Sequence, residues 1–117
     1  VGILGSSSGG LASFYMGLKY SDVFKYILSF SPAIFFYMPD ALNKLIIGND
    51  RLPKLYISGG YRSFLERTIT DFIDIYSMYL SKIYPKEKLL VRVDEDYDHN
   101  ELQWRFLLPE AFDFSIK

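Results

Sequence analysis

The feature that most constrains the fold is the alternation of short apolar runs with helical segments along the whole chain. Four apolar runs are each closed by Gly, Pro or Asp, and we interpret them as strands at 1–4, 25–31, 53–58 and 88–93. The other segments show helical apolar spacing, at 11–19, 39–47, 64–83 and 102–114, the last interrupted at Pro109. Strands separated by such helices form βαβ units. We therefore predict an α/β fold with about four parallel strands in sequential order, flanking helices, and 1–4 at one edge.

The composition excludes several classes of function. The 117 residues include 13 basic and 14 acidic ones, so the chain lacks the positive field that binds nucleic acid. It has no Cys and one His, which excludes disulfides, thiolate nucleophiles and multi-histidine metal sites. No apolar run reaches the roughly 18 residues that span a bilayer. We expect one domain at most, no metal or cofactor, and neither a nucleic-acid nor a membrane partner. The compartment and the oligomeric state stay open, with the cytoplasm slightly favoured.

A serine-rich turn carries the first candidate for chemistry. Residues 5–9 read G-S-S-S-G and fit G-x-S-x-G with Ser7 at the centre. A predicted strand enters this turn and a predicted helix leaves it, which is the context of a nucleophile elbow. The N–H of Ser8, at the start of the helix, is then placed to donate to an oxyanion. The alternatives are a loop that only turns the chain, or one that cradles a phosphate at the helix start.

The single histidine carries the second candidate. His99 follows the last predicted strand, in an acidic loop, and precedes a helix. Ser7 and His99 both follow the carboxyl ends of predicted parallel strands, where open α/β sheets place their sites. We therefore predict that the two side chains converge at that end of the sheet. The alternative for His99 is a surface position in a solvated acidic turn.

Several motifs together resemble the esterase family of α/β hydrolases that includes esterase D, feruloyl esterases and enterobactin esterases. The motifs are GSSSGG at 5–10, YSDVF at 20–24, SPA at 31–33, HNELQW at 99–104 and Leu-Pro at 108–109. The resemblance implies a partial α/β-hydrolase fold, with 1–117 as the carboxyl-terminal part of a single domain. It also implies that Ser7 is the nucleophile, that His99 is the general base, and that the Ser8 backbone N–H is one oxyanion donor. The family commonly has Met at the position of Ser8, and the replacement is tolerable because the role belongs to the backbone N–H.

The acid of a catalytic triad is the main departure from the family pattern. The family tends to carry acids just after the third strand, in a segment like D-x-G-T-x-E, whereas this chain reads SGGYRS at 58–63. The nearest carboxylate is Glu66, which we interpret first as the capping-box partner of Ser63 and keep as the candidate acid. Asp71, further into the same helix, is a second candidate. On the capping interpretation His99 has no close carboxylate from this segment, and the chain carries a Ser–His dyad.

These inferences predict a serine hydrolase that cleaves small-molecule carboxylic esters. The alternatives are an acyltransferase that uses the same residues, and a catalytically silent hydrolase scaffold used for binding. A complete hydrolase would have strands before Val1 and a second oxyanion donor in a loop among them. We therefore expect the 117 residues alone to be inactive. The identity of the ester stays open, because specificity lies in variable or absent loops.

Overall fold

A parallel sheet forms the centre of the fold. The computed structural model describes residues 1–34 and 39–117, in which the strands are Gly2–Ser6 (β1), Tyr26–Phe30 (β2), Lys54–Gly60 (β3) and Leu89–Asp94 (β4). Their order is β1-β2-β3-β4, and each neighbouring pair is parallel. The predicted α/β class, the sequential strand order and the edge position of the first strand are therefore confirmed.

Helices flank the sheet wherever helical spacing predicted them. In the described parts of the chain they are Ser8–Lys19 (α1), Pro39–Ile46 (α2), Phe64–Ile83 (α3) and Glu101–Ile116 (α4), with a short 3₁₀ helix at Lys86–Lys88. The predicted interruption at Pro109 is wrong, because α4 continues through this residue. Pro109 is exposed. The Arg105 carbonyl has no N–H partner at position 109, and it can therefore bond with water.

Two apolar clusters, one on each face of the sheet, hold these layers together. Ile27 belongs to the cluster that α1, α2 and α3 complete, and Leu28 belongs to the cluster that α4 completes. This division follows from the strand itself, because successive side chains point to opposite faces. The side chains of both residues are fully buried. Within the described residues, α4 is thus the helix that covers the second face, and it starts directly after the loop that carries His99.

The distance between α1 and the sheet depends on a glycine. A Cβ at Gly17 would lie 2.3 Å from a side-chain carbon of Ile27 and 3.2 Å from one of Ile3. Ile27 is fully buried, so it has little room to move away. A small residue at this position therefore lets α1 lie close against β1 and β2.

We expect Gly17→Ala to lower the free energy of unfolding by about 1–3 kcal/mol, because overpacking forces buried neighbours to shift. The matched control is Gly9→Ala in the same helix, where an added Cβ meets nothing within 4 Å. In open space the same substitution stabilises a helix by up to about 1 kcal/mol. Urea unfolding of the two variants measures both effects. A shift of the same sign in both would contradict the packing role of Gly17.

A cluster of polar groups, from Tyr56, Arg92 and Glu110, connects α4 to the sheet. Tyr56 is buried, whereas Arg92 and Glu110 are partly exposed. Glu110 in α4 accepts hydrogen bonds from Arg92 Nε in β4 (2.9 Å) and from the Tyr56 hydroxyl in β3 (2.9 Å). Arg92 Nη2 bonds to the other carboxylate oxygen, so the pair is bidentate. The hydrogen bond from Arg92 is the main cause that lowers the pKa of Glu110; Tyr56 adds to it, and partial desolvation opposes it.

The lowered pKa predicts how Glu110 contributes to stability at different pH values. The contribution is fully present above the unfolded pKa of about 4.3 and is lost as the pH falls through the lower folded value. Because the pair is well exposed, we expect Glu110→Gln to cost about 1 kcal/mol or less at neutral pH. The difference between variant and wild type should shrink in strong acid. Urea unfolding at both pH values checks this, and an equal difference at both would show that the charge of Glu110 contributes nothing.

Candidate active site

Ser7 lies in a strained turn between β1 and α1. Its backbone angles are φ 56° and ψ −122°, a conformation that is rare for a residue with a side chain. The Ser7 N–H donates to the carbonyl of Phe30 (2.9 Å), and the Ser7 carbonyl accepts from the N–H of Ala33 (3.1 Å). Both partners belong to β2 or to the residues directly after it. The neighbouring strand therefore holds the turn in its strained form.

Close approach of strand and helix at this turn explains one glycine of the motif. A Cβ at Gly5 would lie 2.2 Å from the carbonyl oxygen of Gly9 and 2.5 Å from Ser13 Oγ. Any side chain at Gly5 would push the start of α1 away from β1. At Gly9, by contrast, a Cβ would meet nothing within 4 Å. Packing therefore requires the first glycine of G-x-S-x-G and not the second.

Ser8 lies where the sequence predicted an oxyanion donor. It is the first residue of α1. N–H groups in the first turn of a helix have no intrahelical acceptor, and the helix dipole makes that end favourable for negative charge. The Ser8 N–H therefore lies at a helix end that favours negative charge, one residue after Ser7.

Ser7, His99 and Glu66 form a continuous hydrogen-bonded chain. Ser7 Oγ lies 3.0 Å from His99 Nε2, and His99 Nδ1 lies 2.8 Å from Glu66 Oε1. The three residues come from the turn after β1, the loop after β4 and the first turn of α3, which follows β3. When Nδ1–H donates to the carboxylate, Nε2 is left as an acceptor for the Ser7 hydroxyl. The structure thus brings together the three side chains that the sequence singled out as candidates.

The capping interpretation of the Glu66 carboxylate is wrong, and so is the expectation that His99 lacks a close carboxylate. Ser63 does cap α3, because its Oγ accepts from the Glu66 N–H (3.2 Å). The Glu66 side chain, however, is only 1% exposed. A buried carboxylate needs hydrogen-bond donors, and His99 offers one inside the fold. Asp71, the second candidate acid, lies on the exposed side of α3.

Two further residues complete the surroundings of the carboxylate. Ser31 Oγ donates to Glu66 Oε2 (2.6 Å) and accepts from Trp104 Nε1 (3.0 Å). The rings of Trp104 and His99 are nearly perpendicular, at 83°, with centroids 5.1 Å apart. Sequence reasoning used Ser31 and Trp104 only as parts of motifs and missed these contacts. The signal that could have found Ser31 is its place directly after β2, at the same end of the sheet as Ser7.

The loop before α4 fixes the backbone of His99. The His99 N–H donates to Asp98 Oδ1 (2.7 Å), and Asn100 caps α4 by accepting from the Gln103 N–H (2.9 Å). A hydrogen bond from the Ser63 side chain is the main cause that lowers the pKa of Asp98, and the bond from the His99 backbone adds to it. The start of α3 therefore contacts His99 through the Glu66 carboxylate, and Ser63 stabilises the negative charge of Asp98 beside it.

Two open clefts lie near the hydrogen-bonded chain and are lined by neighbours of its members. One of about 320 Å³ lies beside the turn that carries Ser7, between β1 and α4, and includes Ser6, Trp104 and Arg105 in its lining. Another of about 560 Å³ lies beside the His99 loop and includes Arg62 and Phe106. Ser7, His99 and Glu66 are not among the residues that line either cleft.

Two further findings concern the described residues as a whole. Over 1–34 and 39–117, no group of three or more His, Cys, Asp or Glu side chains is arranged to hold a metal ion. None of the helices in these ranges is long and apolar enough to cross a membrane.

Comparison with known proteins shows similarity in three dimensions. No protein-family model matches the sequence, and no curated protein matches it. S-formylglutathione hydrolase from Staphylococcus aureus superposes on 98% of the chain, with 23% identity and a TM-score of 0.73. Fluorophosphonate-binding serine hydrolase F from the same organism also covers 98%, with 22% identity and a TM-score of 0.72. Enterobactin esterase from Shigella flexneri covers 96%, with 23% identity and a TM-score of 0.74.

The match extends over part of each of these proteins. The chain spans 50% of the first, 53% of the second and 30% of the third. At such identities the similarity concerns the fold. The parallel sheet, its flanking helices and the near-complete superposition of this chain show that it has the same α/β fold as the matching part of these hydrolases and esterases.

Proposed function

We propose that the protein is a serine hydrolase that cleaves small-molecule carboxylic esters, with Ser7 as nucleophile, His99 as general base and Glu66 as acid. The observation that carries this proposal is the path from Ser7 Oγ to His99 Nε2 (3.0 Å) and from His99 Nδ1 to Glu66 Oε1 (2.8 Å). Such a path is what nucleophilic catalysis by serine needs. The strained turn at Ser7 and the hydrolases that share the fold support it.

The geometry suggests how each group acts. Ser7 Oγ attacks the ester carbonyl carbon while its proton moves to His99 Nε2. The Ser8 N–H donates to the oxyanion that forms on the carbonyl oxygen. His99 then gives the proton to the leaving alcohol, and water, activated in the same way, releases the acid from Ser7. Glu66 keeps the proton of neutral His99 on Nδ1 and stabilises the imidazolium that forms in each step.

The same geometry favours an enzyme over a plain turn, a phosphate-binding loop and a catalytically silent scaffold. A turn that only reverses the chain, or that holds a phosphate, has no use for a histidine within hydrogen-bond distance of Ser7 Oγ. A silent scaffold has no use for a carboxylate that is 1% exposed and bonded to that histidine. Burial of a charge is costly, and active sites are where proteins commonly accept that cost.

We assign the activity to the full-length protein rather than to these 117 residues. The chain spans about half of the first two hydrolases that share its fold. The Ser8 N–H is one oxyanion donor, and loss of a single donor costs about 100- to 1,000-fold in rate in a well-characterised protease. The isolated chain is therefore expected to be inactive.

A fluorophosphonate, which phosphonylates activated serines, tests the proposal in the full-length protein. Wild type should become labelled, and Ser7→Ala should abolish both labelling and ester hydrolysis, because Ser7 is the serine of the turn whose hydroxyl bonds His99. Ser6→Ala is the matched control, since the neighbouring hydroxyl belongs to β1 and should be dispensable for labelling. Mass spectrometry of the labelled peptide locates the adduct. An adduct on Ser6 or Ser8, or a folded wild type that is not labelled, would refute the assignment.

The role of Glu66 is tested by removing its charge alone. Glu66→Gln should lower kcat by up to about 10,000-fold, because an amide no longer holds the Nδ1–H tautomer or stabilises the imidazolium. Asp71→Asn is the matched control: it removes one charge from the same helix at an exposed position and should leave kcat unchanged. Steady-state ester hydrolysis of both variants decides. Equal kcat for wild type and Glu66→Gln would show that Glu66 is not the acid and would favour a Ser–His dyad.

A further inference from the structure

We propose that Ser31 is a positioning residue for the triad acid and that the indole N–H of Trp104 acts through it. This inference rests on the proposed function and extends the catalytic unit beyond Ser7, His99 and Glu66. Ser31 and Trp104 contact the acid and the base rather than the nucleophile. Their proposed task is to fix the orientation of the Glu66 carboxylate.

The backbone at Ser31 indicates that its hydroxyl is needed. Ser31 has φ 46°, in the left-handed region, where glycine is the residue without strain. Its side chain is 1% exposed, and its N–H donates to the carbonyl of Ser58 in β3 (2.9 Å). The position is therefore strained and rigidly held. A serine here supplies one thing that a glycine could not, a hydroxyl at a fixed place.

That hydroxyl has a defined partner. Ser31 Oγ donates to Glu66 Oε2 at 2.6 Å, a short bond typical of a charged acceptor, while Glu66 Oε1 faces His99 Nδ1. Rotation about the last bond of a glutamate is soft, so one hydrogen bond alone leaves the carboxylate plane poorly defined. A bond to each oxygen fixes that plane. It also prevents a buried oxygen from remaining without a donor.

Trp104 determines which way the Ser31 hydroxyl points. A hydroxyl has a single proton, and Ser31 Oγ accepts a hydrogen bond from Trp104 Nε1 (3.0 Å). With an N–H pointing at its oxygen, the Ser31 proton is directed towards Glu66. The Trp104 ring also packs nearly perpendicular to His99, so Trp104 contacts His99 directly and Glu66 through Ser31.

Kinetics of the full-length protein test this arrangement. Ser31→Ala should lower kcat by about 10- to 100-fold, the usual effect of misplacing a catalytic group through its supporting partner. KM should change little, because Ser31 is buried and bonded to the acid rather than exposed to substrate. Ser31→Gly removes the same hydroxyl and relieves the backbone, so it should be as slow as Ser31→Ala and at least as stable as that variant. Ser115→Ala, which removes a buried hydroxyl bonded to Ala111 within α4, should leave kcat unchanged.

A double-variant cycle separates a relay from a structural role. Trp104→Phe keeps an aromatic ring beside His99 and removes the N–H, and it should lower kcat less than Ser31→Ala does. The double variant should be no slower than Ser31→Ala, because the N–H acts through a hydroxyl that is already absent. Losses that multiply in the double variant would overturn the relay. The low-field proton resonance of His99 Nδ1–H, identified by its loss in His99→Gln, should shift in Ser31→Ala, and an unmoved resonance would count against the proposal.

The outcomes distinguish this inference from the function on which it rests. If fluorophosphonate labels wild type at Ser7 and both Ser31 variants keep full kcat, only the positioning role is overturned. If a folded wild type is neither labelled nor active on esters, the proposed function fails and the role of Ser31 falls with it. The positioning role would be established if Ser31→Ala and Ser31→Gly both fold but turn over slowly, and if the losses of Ser31→Ala and Trp104→Phe do not multiply in the double variant.

Discussion

The buried charge of Glu66 is the constraint on which the carboxyl end of the sheet depends. A carboxylate that is 1% exposed is tolerable only where the fold supplies donors to its oxygens. Here the donors come from two distant stretches of chain, Ser31 after β2 and His99 after β4. The parallel order β1-β2-β3-β4 brings the ends of those strands to the same edge. One buried acid thus connects three of the loops that form the site.

Backbone strain is concentrated in the same place. Among the described residues other than glycine, Ser7 and Ser31 have positive φ. Each directly follows a strand, and each donates its N–H to the next strand, Ser7 to Phe30 and Ser31 to Ser58. Hydrogen bonds to the sheet therefore maintain two strained turns side by side, and each turn contributes a hydroxyl to the hydrogen bonds around His99 and Glu66. Strain of this kind persists where the surrounding structure determines it, which is common at functional sites.

The elements of the fold could be predicted because their signals are local. The helical spacing that begins at Phe64 and ends before Pro85 gave α3 its observed bounds, Phe64–Ile83. The predicted interruption at Pro109 is wrong because a proline indicates that a backbone hydrogen bond is lost, but does not indicate whether water can replace that bond. The capping interpretation of the Glu66 carboxylate is wrong for a related reason. The spacing from Ser63 to Glu66 describes a helix cap, and the backbone half of that cap does form, but the carboxylate bonds to residues 33 and 35 positions away. Contacts across such distances depend on the packed sheet, which local spacing does not encode.

The position of the acid gives a physical reason for the supporting pair. The family that the sequence resembles tends to carry acids at the positions that Ser58 in β3 and Ser63 before α3 occupy here. Here the carboxylate comes from the first turn of α3, where the helix dipole stabilises negative charge. Glutamate has a flexible side chain, so its carboxylate loses freedom when it is held against a histidine. A second hydrogen bond, from Ser31, offsets that loss by fixing the carboxylate plane, and Trp104 in turn fixes Ser31. An acid carried by α3 and the Ser31–Trp104 pair therefore belong to one arrangement, in which the two partners hold a flexible carboxylate in place.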